Sequence, residues 1–558
     1  MTQTPDLVIL NGHVLTMDPD HPRAEALALV GDRLVAVGSS DAIAALAGEG
    51  TRVVDAGGRT VLPGLIDSHV HLFQGAAELD FLPLGGHTDL AAVRPLVAEY
   101  AAARPDEPLV LGVGGFYDLF LGQTEPPRLL LDDILADRPF AILAADLHTV
   151  WANTRALQAA GLSHGAPMPE GSIVVMGEDG LATGTLFETG AFGPVLALSR
   201  TGGRDMLGYV SGRDPEPPAT EAQRAADKAL LLKGLDHCAA HGITSLHNMD
   251  GNFYQLDLLT ELEAEGRLKC RVQVPLHLKN FDGLDRLEVA AEMHRRYHSP
   301  MVKSGRVKMF MDGVMESRTA LMTRPYPDTP GNVGEAIFDP EVFNQACVLA
   351  DAMGLQLSVH AVGDLAVRRV LDGFEAAQKA NGPRDSRHRV EHIELITAED
   401  LARLKALGAV ASMQPRHASP AGFFAPPAPD TVFFEDDYRR AYAWKWIREA
   451  GVPLIFSTDW PVVPVSALAS IQAAIAPLDL GPLWGDRRQG LLETLESYTR
   501  MNAWVEFAED EKGMLRPGYL ADIVILGGDI EATPPDQVGG LGIGMTICAG
   551  RVTYEAGA

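Results

Sequence analysis

The sequence predicts an α/β protein: a (β/α)8 TIM barrel, a small β domain formed by both ends of the chain, and a large insertion after the first barrel strand. Three observations predict this fold. Apolar strand-like runs alternate with Ala- and Leu-rich helical stretches through the middle of the chain, as in βα units around a parallel sheet. Short β-rich segments occupy both ends. The stretch between the first two barrel strands is longer than one βα connection requires.

The two ends of the chain have the same character. Apolar segments near the start read DLVILNGHVLT, ALALVGDRLVAVG and TRVVDAGGRTVLP, and those near the end read ADIVILGGD and MTICAGRVTYE. Gly, Asp and Asn turns separate them, which is typical of antiparallel hairpins. We therefore expect residues 1–60 and 510–558 to pair into one small β domain. The alternative is two unrelated terminal ribbons.

The central region, residues 61–509, contains ten candidate strands, whereas a (β/α)8 barrel needs eight. Two candidates, LVLGVGG and AILAADLH, fall within the long stretch at about residues 75–240 and are assigned to the insertion. The barrel strands are then predicted at 65–71, 242–247, 271–277, 306–311, 356–360, 388–393, 409–413 and 453–457.

The composition limits the possible partners. Of the 558 residues, 46% are hydrophobic and 22% are charged, as in a well-packed globular protein, and the formal net charge is −28. Nucleic acids and anionic membrane surfaces favour clustered Lys and Arg, so neither is expected as a partner. No stretch reaches the roughly 18 apolar residues that span a bilayer.

The cysteines and the N-terminal stretch indicate the compartment. The four cysteines are far apart and form no CxxC motif, which argues against a disulfide framework and against a thiolate zinc site. The first residues lack a basic region and a long apolar core, so we expect no signal peptide. The sequence therefore predicts a cytoplasmic protein.

Polar side chains occur where several predicted strands end. His69 and His71 are two residues apart in GLIDSHVHL, so on a strand they point to the same face. Later strands carry Lys308, His360, His392 and Asp459. Active sites of such barrels lie at the carboxyl ends of the strands, so these groups are expected to ring one mouth. Imidazole and carboxylate groups indicate zinc or a related divalent metal.

Lys308 is the exception in this set. A protonated lysine is repelled by bound cations and is costly to bury alone. Two interpretations are open: a lysine that carries CO2 as a carbamate and bridges two metals, or a salt bridge from Lys308 to Asp312 or Glu316. The spacing alone favours the salt bridge.

An ordered set of motifs spans residues 61–526: VLPGLIDSHVHL, HTVWANTRAL, VKMFMDGVMESRTALM, LSVHAVGDLAV, RVEHIEL, SMQPRH, FSTDWPVVPVSAL and KGMLRPGYLADIVIL. The set resembles the amidohydrolase superfamily, specifically its family 3 branch of YtcJ-like and N-substituted formamide deformylase-like proteins. The resemblance implies that the two ends of the chain form a small β-sandwich, and it supports the insertion after the first barrel strand.

The resemblance also implies a two-metal centre, with two zinc ions or another divalent metal in each chain. The implied ligands of the more buried ion are His69, His71 and Asp459, and those of the second ion are His360 and His392. A carbamate on Lys308, derived from CO2, is implied as the bridge between them. This implication reverses the preference for a salt bridge.

The implied activity is hydrolysis of the C–N bond of a small-molecule amide by a metal-bound hydroxide. The expected substrate is an N-substituted amide, formamide-like or with another apolar substituent. Asp459 is the expected catalytic residue, because it can take a proton from the attacking water and return it to the leaving amine. The residues expected to contact the substrate, each with a structural role as the alternative, are His148, Trp151, His247, Arg318, His417 and Trp460.

Other residues near the expected mouth complete this picture. Asp364, in HAVGD, is expected to orient a ligand histidine. The apolar residues that suggest a hydrophobic substrate portion are Phe73, Trp151, Phe423, Phe424 and Trp460. The Pro- and Phe-rich segment 415–437 is either an ordered lid or a contact in a homodimer, and the sequence does not choose between them.

Two other functions remain open. The same site suits hydrolysis of a lactam, carbamate or ester, or deamination. A catalytically silent metal-binding scaffold is the third possibility, and the retention of all six ligand-type residues argues against it. The fold alone does not identify the substrate.

Overall fold

The computed structural model describes residues 4–145, 147–169, 171–418 and 432–557. The chain divides into two compact units. The first comprises Met1–His71, Leu235–Gly251 and Leu259–Ala558, and the second comprises Leu72–Gly234 and Asn252–Leu258. No helix in these described ranges is both long and apolar enough to cross a membrane.

The first unit contains a series of parallel strands, which we label β1–β8 in chain order. Their bounds are Leu65–Val70, Ile243–Asn248, Arg271–Gln273 with Leu276–His277, Arg306–Phe310, Gln356–Ala361, Arg389–His392, Val410–Met413 and Leu454–Phe456. Each strand pairs in parallel with the next one along the chain. Beyond β8, Trp460 forms a parallel bridge with Val70 of β1.

All eight strands lie where the apolar runs predict them, to within one residue at each end. The exception is a break inside β3, between Gln273 and Leu276. Pro275 lies in this break and has no backbone N–H to donate, which is a physical reason for the interrupted ladder. The first segment of β3 also pairs with the short strand Val302–Lys303.

Helices alternate with these strands in the first unit. Their bounds are Arg286–Arg296, Pro340–Ala352, Asp364–Asn381, Ala398–Ala406, Trp444–Glu449, Ala467–Ile475, Leu491–Tyr498 and Arg500–Val505, and the 3-10 turns are Pro415–His417, Tyr438–Arg440, Pro482–Trp484 and Pro535–Gly540. Asp339 and Thr397 each accept a backbone N–H in the first turn of the helix that they precede. Two more helices, Glu221–Ala240 and Phe253–Ala264, contribute residues to both units.

The two ends of the chain share one sheet. Its strand order is Arg551–Glu555, Ile543–Cys548, Ile523–Leu526, Thr60–Pro63, His13–Leu15 and Arg23–Ala24. A second sheet has the order Arg33–Gly38, Ala26–Val30, Leu7–Leu10 and Arg52–Asp55, and the helix Ser40–Ala44 follows its strand Arg33–Gly38. Buried residues of both sheets, among them Ile9, Leu27 and Ile525, form one apolar core.

The second unit has its own six-stranded sheet, in the order Ile173–Met176, Ala182–Phe187, Thr149–Ala152, Phe140–Ala144, Val110–Gly115 and Leu82–Pro83. The two candidate strands assigned to the insertion, LVLGVGG and AILAADLH, form Val110–Gly115 and Phe140–Ala144 of this sheet. Its helices are Leu72–Glu78, Leu90–Ala103, Pro127–Ile134, Thr154–Ala159, Glu188–Leu196 and Leu207–Val210, with a 3-10 turn at Tyr117–Phe120. A separate apolar core includes Val97, Ile142 and Trp151.

Candidate metal centre

Parallel strands place their carboxyl ends at one edge, and three predicted ligands meet there. Oδ1 of Asp459 lies 3.4 Å from Nε2 of His69 and 3.4 Å from Nε2 of His71. One ligand atom from each residue lies within 4.8 Å of the other two, and all three residues are buried. The structure therefore brings together the three ligands proposed for the first ion.

The other oxygen of Asp459 faces a second pair of histidines. Oδ2 lies 3.9 Å from Nδ1 of His392 and 3.7 Å from Nε2 of His417. Ligand atoms of these three residues also lie within 4.8 Å of one another. We call His69, His71, His392, His417 and Asp459 the His–Asp cluster. It includes His417, which the sequence analysis placed among the substrate contacts.

Three polar side chains fix the rings of the cluster. Nδ1 of His69 donates to Glu391 (2.8 Å), and Nδ1 of His71 donates to Asp250 (3.2 Å). Nδ1 of His392 donates to the amide oxygen of Gln414 (2.8 Å). Such bonds set the tautomer and the ring orientation of histidines that bind metals, and they leave Nε2 as the basic nitrogen.

The sequence did not predict a role for Asp250, Glu391 and Gln414. The signal that could have found them is position, because each lies near the carboxyl end of a barrel strand. Glu391 immediately precedes His392, Gln414 directly follows β7, and Asp250 follows β2 by two residues. The expected orienting residue, Asp364, has a different role: its carboxylate accepts from the backbone N–H (2.8 Å) and the hydroxyl (2.6 Å) of Thr323.

The backbone around Asp459 is held from β1. The N–H of Asp459 donates to the carbonyl of His69 (2.8 Å). Asp67 accepts from the N–H (3.0 Å) and the hydroxyl (2.6 Å) of Thr458, the residue before Asp459. Asp459 and His392 both have positive φ, at 64° and 77°. Non-glycine residues seldom adopt this conformation, which persists only where surrounding contacts enforce it.

Lys308 is fully buried in β4, and its Nζ lies 3.4 Å from Nε2 of His69. Burial lowers the pKa of Lys308 to about 8. The carboxylate of Asp312, one of the two alternative salt-bridge partners, instead accepts backbone N–H groups of Leu321, Val362 and Gly363. The structure therefore places the Lys308 amine beside the cluster.

His360 lies next to the cluster on β5. The centroid of its ring is 4.5 Å from that of His392, and its Nε2 donates to the carbonyl of Gly313 (3.0 Å). The ring of Phe310 stacks on that of His360, with the two centroids 4.5 Å apart. The ligand atoms grouped around Oδ2 of Asp459 come from His392 and His417 and do not include His360.

Two of the expected substrate contacts in the first unit have other partners. Nε2 of His247 bonds Glu506 (3.1 Å), and Nδ1 of His247 lies 3.1 Å from a guanidinium nitrogen of Arg389. Arg318 forms an ion pair with Asp328 and donates to the carbonyl of Glu316 (2.6 Å). Neither residue joins the His–Asp cluster.

Trp460 does lie beside the cluster. Its carbonyl accepts from the N–H of His71 (2.7 Å), and its buried indole packs 5.6 Å from the ring of His237. The contacts of Trp460 therefore support the position of His71.

The remaining expected contacts belong to the second unit. Nδ1 of His148 bonds the carboxylate of Glu188 (3.0 Å). Trp151 is buried and packs against Tyr117 and Phe120, with ring centroids 5.2 Å and 4.8 Å away, as a core residue does. Phe73 is also buried in this unit, whereas Phe423 and Phe424 lie outside the described residues. Most of the Pro- and Phe-rich segment, residues 419–431, lies outside them too.

A second group of buried polar side chains combines residues of β2 and β6 with residues that follow the helix Arg500–Val505. We call it the interior ion network: Arg389, Glu391, His247, Glu506 and Lys512. Arg389 donates to Glu391 (3.1 Å), and Lys512 pairs with Glu506. Lys512 also donates to Ser245 (2.7 Å). Although burial opposes it, Arg389 and His69 hold the pKa of Glu391 well below its usual range. Glu391 therefore belongs to the network and also supports His69.

The residues of the His–Asp cluster fit a divalent metal. Oδ1 of Asp459 and Nε2 of His417 are buried and have no hydrogen-bond partner among the described residues. Leaving such atoms unsatisfied costs about 1–3 kcal/mol each, and a bound cation would satisfy both. Burial alone would raise the pKa of Asp459, but the surrounding histidines hold it well below the usual range, so the carboxylate is the charged form that a metal needs. The donor set of imidazole and carboxylate suits zinc.

The fold and this cluster define a class: a metal-dependent hydrolase. Comparison with known proteins agrees, since the model of the amidohydrolase family (Amidohydro_3) matches residues 52–554. The chain belongs to the amidohydrolase family and acts on carbon–nitrogen bonds.

Two curated relatives cover nearly the whole chain. The putative amidohydrolase YtcJ of Bacillus subtilis (strain 168) is 27% identical, with 98% of each chain covered. The N-substituted formamide deformylase of Arthrobacter pascens is 25% identical, with 100% of this chain and 99% of the relative covered. Among solved structures, an uncharacterized metal-dependent hydrolase from Pyrococcus horikoshii shares the fold, with a TM-score of 0.73, 24% identity and coverage of 96% and 99%. The fold is thus the mixed α/β, TIM-barrel type of amidohydrolases.

Proposed function

We propose that this chain hydrolyses the C–N bond of an N-substituted amide, formamide-like or with another apolar substituent, at a metal centre built on the His–Asp cluster. The observation that carries the proposal is the position of Asp459: its buried Oδ1, which has no hydrogen-bond partner among the described residues, faces Nε2 of both His69 and His71. The name of the full-length relative from Arthrobacter pascens supports the substrate class. Phe310, next to Lys308 and His360, and Trp460 supply apolar surface close to the cluster.

The proposed ligands of the first ion are His69, His71 and Asp459. Those expected at a second ion are His392 and His360, with Lys308 as the bridge. When bound, a metal lowers the pKa of a water from ~15.7 toward 7 and polarises a carbonyl oxygen. Zinc is the metal that the donor set favours, at up to two ions per chain.

Asp459 is the proposed proton shuttle. Its carboxylate takes the proton from the attacking water and passes it to the nitrogen of the leaving amine. The second transfer matters as much as the first, because an amide anion is a very poor leaving group. The hydrogen bonds from Thr458 to Asp67 and from Asp459 to His69 hold the carboxylate in place for both transfers.

The position of Lys308 supports a carbamate on its amine. The Nζ lies in a buried site 3.4 Å from a ligand histidine, where an ammonium group would oppose cation binding. Attack of the neutral amine on CO2 forms the N–C bond, releases one proton and gives a carboxylate-like ligand. We expect Lys308→Ala and Lys308→Arg to lose metal and activity together, and short carboxylic acids to restore part of both in Lys308→Ala. Full activity of Lys308→Arg would contradict the carbamate.

The domain organisation is part of the proposal. The parallel series β1–β8 and the bridge from Trp460 to Val70 support a closed (β/α)8 barrel at about residues 61–509. The shared sheet of the chain ends supports a small β-sandwich of residues 1–60 and 510–558. The sheet of the second unit supports an insertion at about residues 75–240.

We also propose a cytoplasmic protein that acts on small molecules and has no nucleic-acid or membrane partner. All four cysteines are free and buried, as expected in a reducing compartment. A homodimer is the simplest assembly to test by sedimentation.

The experiment that tests the function measures metal and turnover together. Purified chain should hold one to two equivalents of zinc or a similar ion by elemental analysis. It should then release amines from N-substituted formamides with apolar substituents faster than it cleaves matched esters, carbamates and lactams or deaminates purines. Chelation should stop turnover. Metal binding with no turnover of any substrate would favour the silent scaffold, and exclusive cleavage of another bond would change the substrate class.

A further inference from the structure

His417 follows β7 in the short 3-10 turn Pro415–His417. The residue is only 7% exposed. Its ring lies parallel to that of His392, with an interplanar angle of 9° and centroids 5.9 Å apart. The two imidazoles therefore present their edges to the same region of space.

The two ring nitrogens of His417 have different surroundings. Nδ1 faces a carboxylate, Oε1 of Glu394, at 3.8 Å, and Glu394 itself accepts from the hydroxyl of Tyr442 (3.0 Å). Nε2 points to Oδ2 of Asp459 at 3.7 Å and has no hydrogen-bond partner in the described part of the chain. Both carboxylates lie beyond hydrogen-bond distance, so neither contact fixes the tautomer, and Nε2 is the ring nitrogen nearest Asp459.

Asp459 divides its two oxygens between two pairs of histidines. Oδ1 faces His69 and His71, and Oδ2 faces His392 and His417. A carboxylate can use both oxygens as ligands, so each pair of rings with its oxygen has the composition of a divalent-cation position.

We propose that His417 is a metal ligand: it joins His392 and Asp459 at the second cation position, in addition to the expected ligand His360, so that the turn after β7 contributes to the centre. This inference rests on the proposed function only in that the cluster holds metal. It assigns His417 to the metal instead of to the substrate. An imidazole whose Nε2 faces a carboxylate oxygen beyond hydrogen-bond distance has the geometry of two ligands of one cation.

The first test is zinc titration of the metal-free chain, with elemental analysis and calorimetry. Wild type is expected to bind two equivalents. His417→Gln keeps a hydrogen-bonding side chain but is a poor zinc ligand. It is expected to keep the first equivalent and to weaken the second by more than the 10–100-fold that loss of an outer partner costs. The retained first equivalent also shows that the variant is folded.

Three outcomes are distinguishable. Wild type without any bound metal contradicts the proposed function itself. Equal zinc affinities and equivalents in wild type and His417→Gln overturn the ligand assignment, whether wild type binds one ion or two. A variant that keeps both equivalents and changes only KM would return His417 to the substrate.

The second test reads the ligand directly. His417→Cys loaded with Co2+ is expected to show a thiolate-to-cobalt charge-transfer band in the near ultraviolet. The native cysteines are all buried, and burial raises the pKa of each thiol, so cobalt-loaded wild type is expected to lack the band. His388→Cys, which replaces a buried histidine bonded to Asp351, is the matched control. No band in a His417→Cys chain that still binds its first equivalent would overturn the proposal.

Discussion

The His–Asp cluster and the interior ion network share strand β6, but their buried charges are satisfied in different ways. In the network each charged group has an opposite charge next to it, as Lys512 has Glu506 and Arg389 has Glu391. In the cluster the oxygens of Asp459 face imidazole nitrogens, and its Oδ1 accepts no hydrogen bond from the described residues. Buried charge alone is therefore a poor guide to a site. A buried carboxylate oxygen that faces two imidazole nitrogens, as Oδ1 of Asp459 does, is a better one.

The largest expected effect separates the two groups. Asp459→Asn keeps an oxygen that can touch a metal but loses the basic carboxylate, so turnover should fall by about 10²–10⁴-fold or more. Zinc content should fall far less, because the histidines remain. Steady-state kinetics and elemental analysis check this, with Asp486→Asn, an exposed residue paired with Lys445, as the control. Near-normal turnover would remove Asp459 from the mechanism, and loss of all metal would make it a structural ligand.

Breaking the network should cost stability instead. Glu506→Gln leaves the buried ammonium of Lys512 without its counter-charge, and removal of one partner of a buried pair costs about 3–5 kcal/mol. The free energy of unfolding measures this loss, and zinc content of the folded chain should not change. Glu511→Gln, at an exposed position, should change stability by less than about 0.5 kcal/mol. Loss of zinc without loss of stability would show that the two groups are not separate.

Glu391 is the residue that the two groups share, so its variant should show both effects. Glu391→Gln weakens the bond to His69 Nδ1, and loss of such a partner lowers metal affinity by about 10–100-fold. It also removes the counter-charge of Arg389, so stability should fall. Gln414→Glu makes the opposite change, because it places a carboxylate instead of an amide against Nδ1 of His392. This variant should bind zinc more tightly. Unchanged zinc affinity in both variants would refute the orienting role.

The last expected effect concerns pH and the network, and it is small near neutral pH. Burial lowers the pKa of His247 from its ordinary value to about 3. The unfolded chain then binds this proton more strongly than the folded chain. The contribution to stability is therefore complete above pH ~6.5 and is lost as the pH falls toward 3, by up to about 1.4 kcal/mol for each pH unit. His247→Gln should show a flatter dependence of unfolding free energy on pH between about 6.5 and 4, and His21→Gln, at an exposed histidine, should not. If the unfolding free energy of wild type and His247→Gln changed equally with pH, the lowered pKa of His247 would be contradicted.

Some of the site could be predicted from residues because its signals are local. The HxH spacing places His69 and His71 on one face of a strand, and the apolar run before Asp459 marks another strand end. The parallel order of the strands then requires both ends to lie at one edge. These predictions needed only the period of a strand and the direction of a parallel sheet.

Other assignments needed contacts between residues far apart in the chain. His247 ends a strand as the ligands do, but its ring meets Glu506, which is 259 residues away. Arg318 is a charged residue in a polar motif, but in the structure its guanidinium forms an ion pair with Asp328. A strand-end position does not reveal which neighbour a side chain meets, so the sequence could not distinguish these residues from ligands.

By itself the sequence determined the kind of strands, their order along the chain and the residue types at their carboxyl ends, because period, apolar runs and turn residues are local properties. Only the tertiary structure decided which side chains at those strand ends contact one another. It placed Glu391 behind His69 and Gln414 behind His392, and it set His417 opposite Asp459. The physical reason is that hydrogen bonding and burial depend on distance in space, which the packing of β1–β8 fixes and the linear order of residues does not.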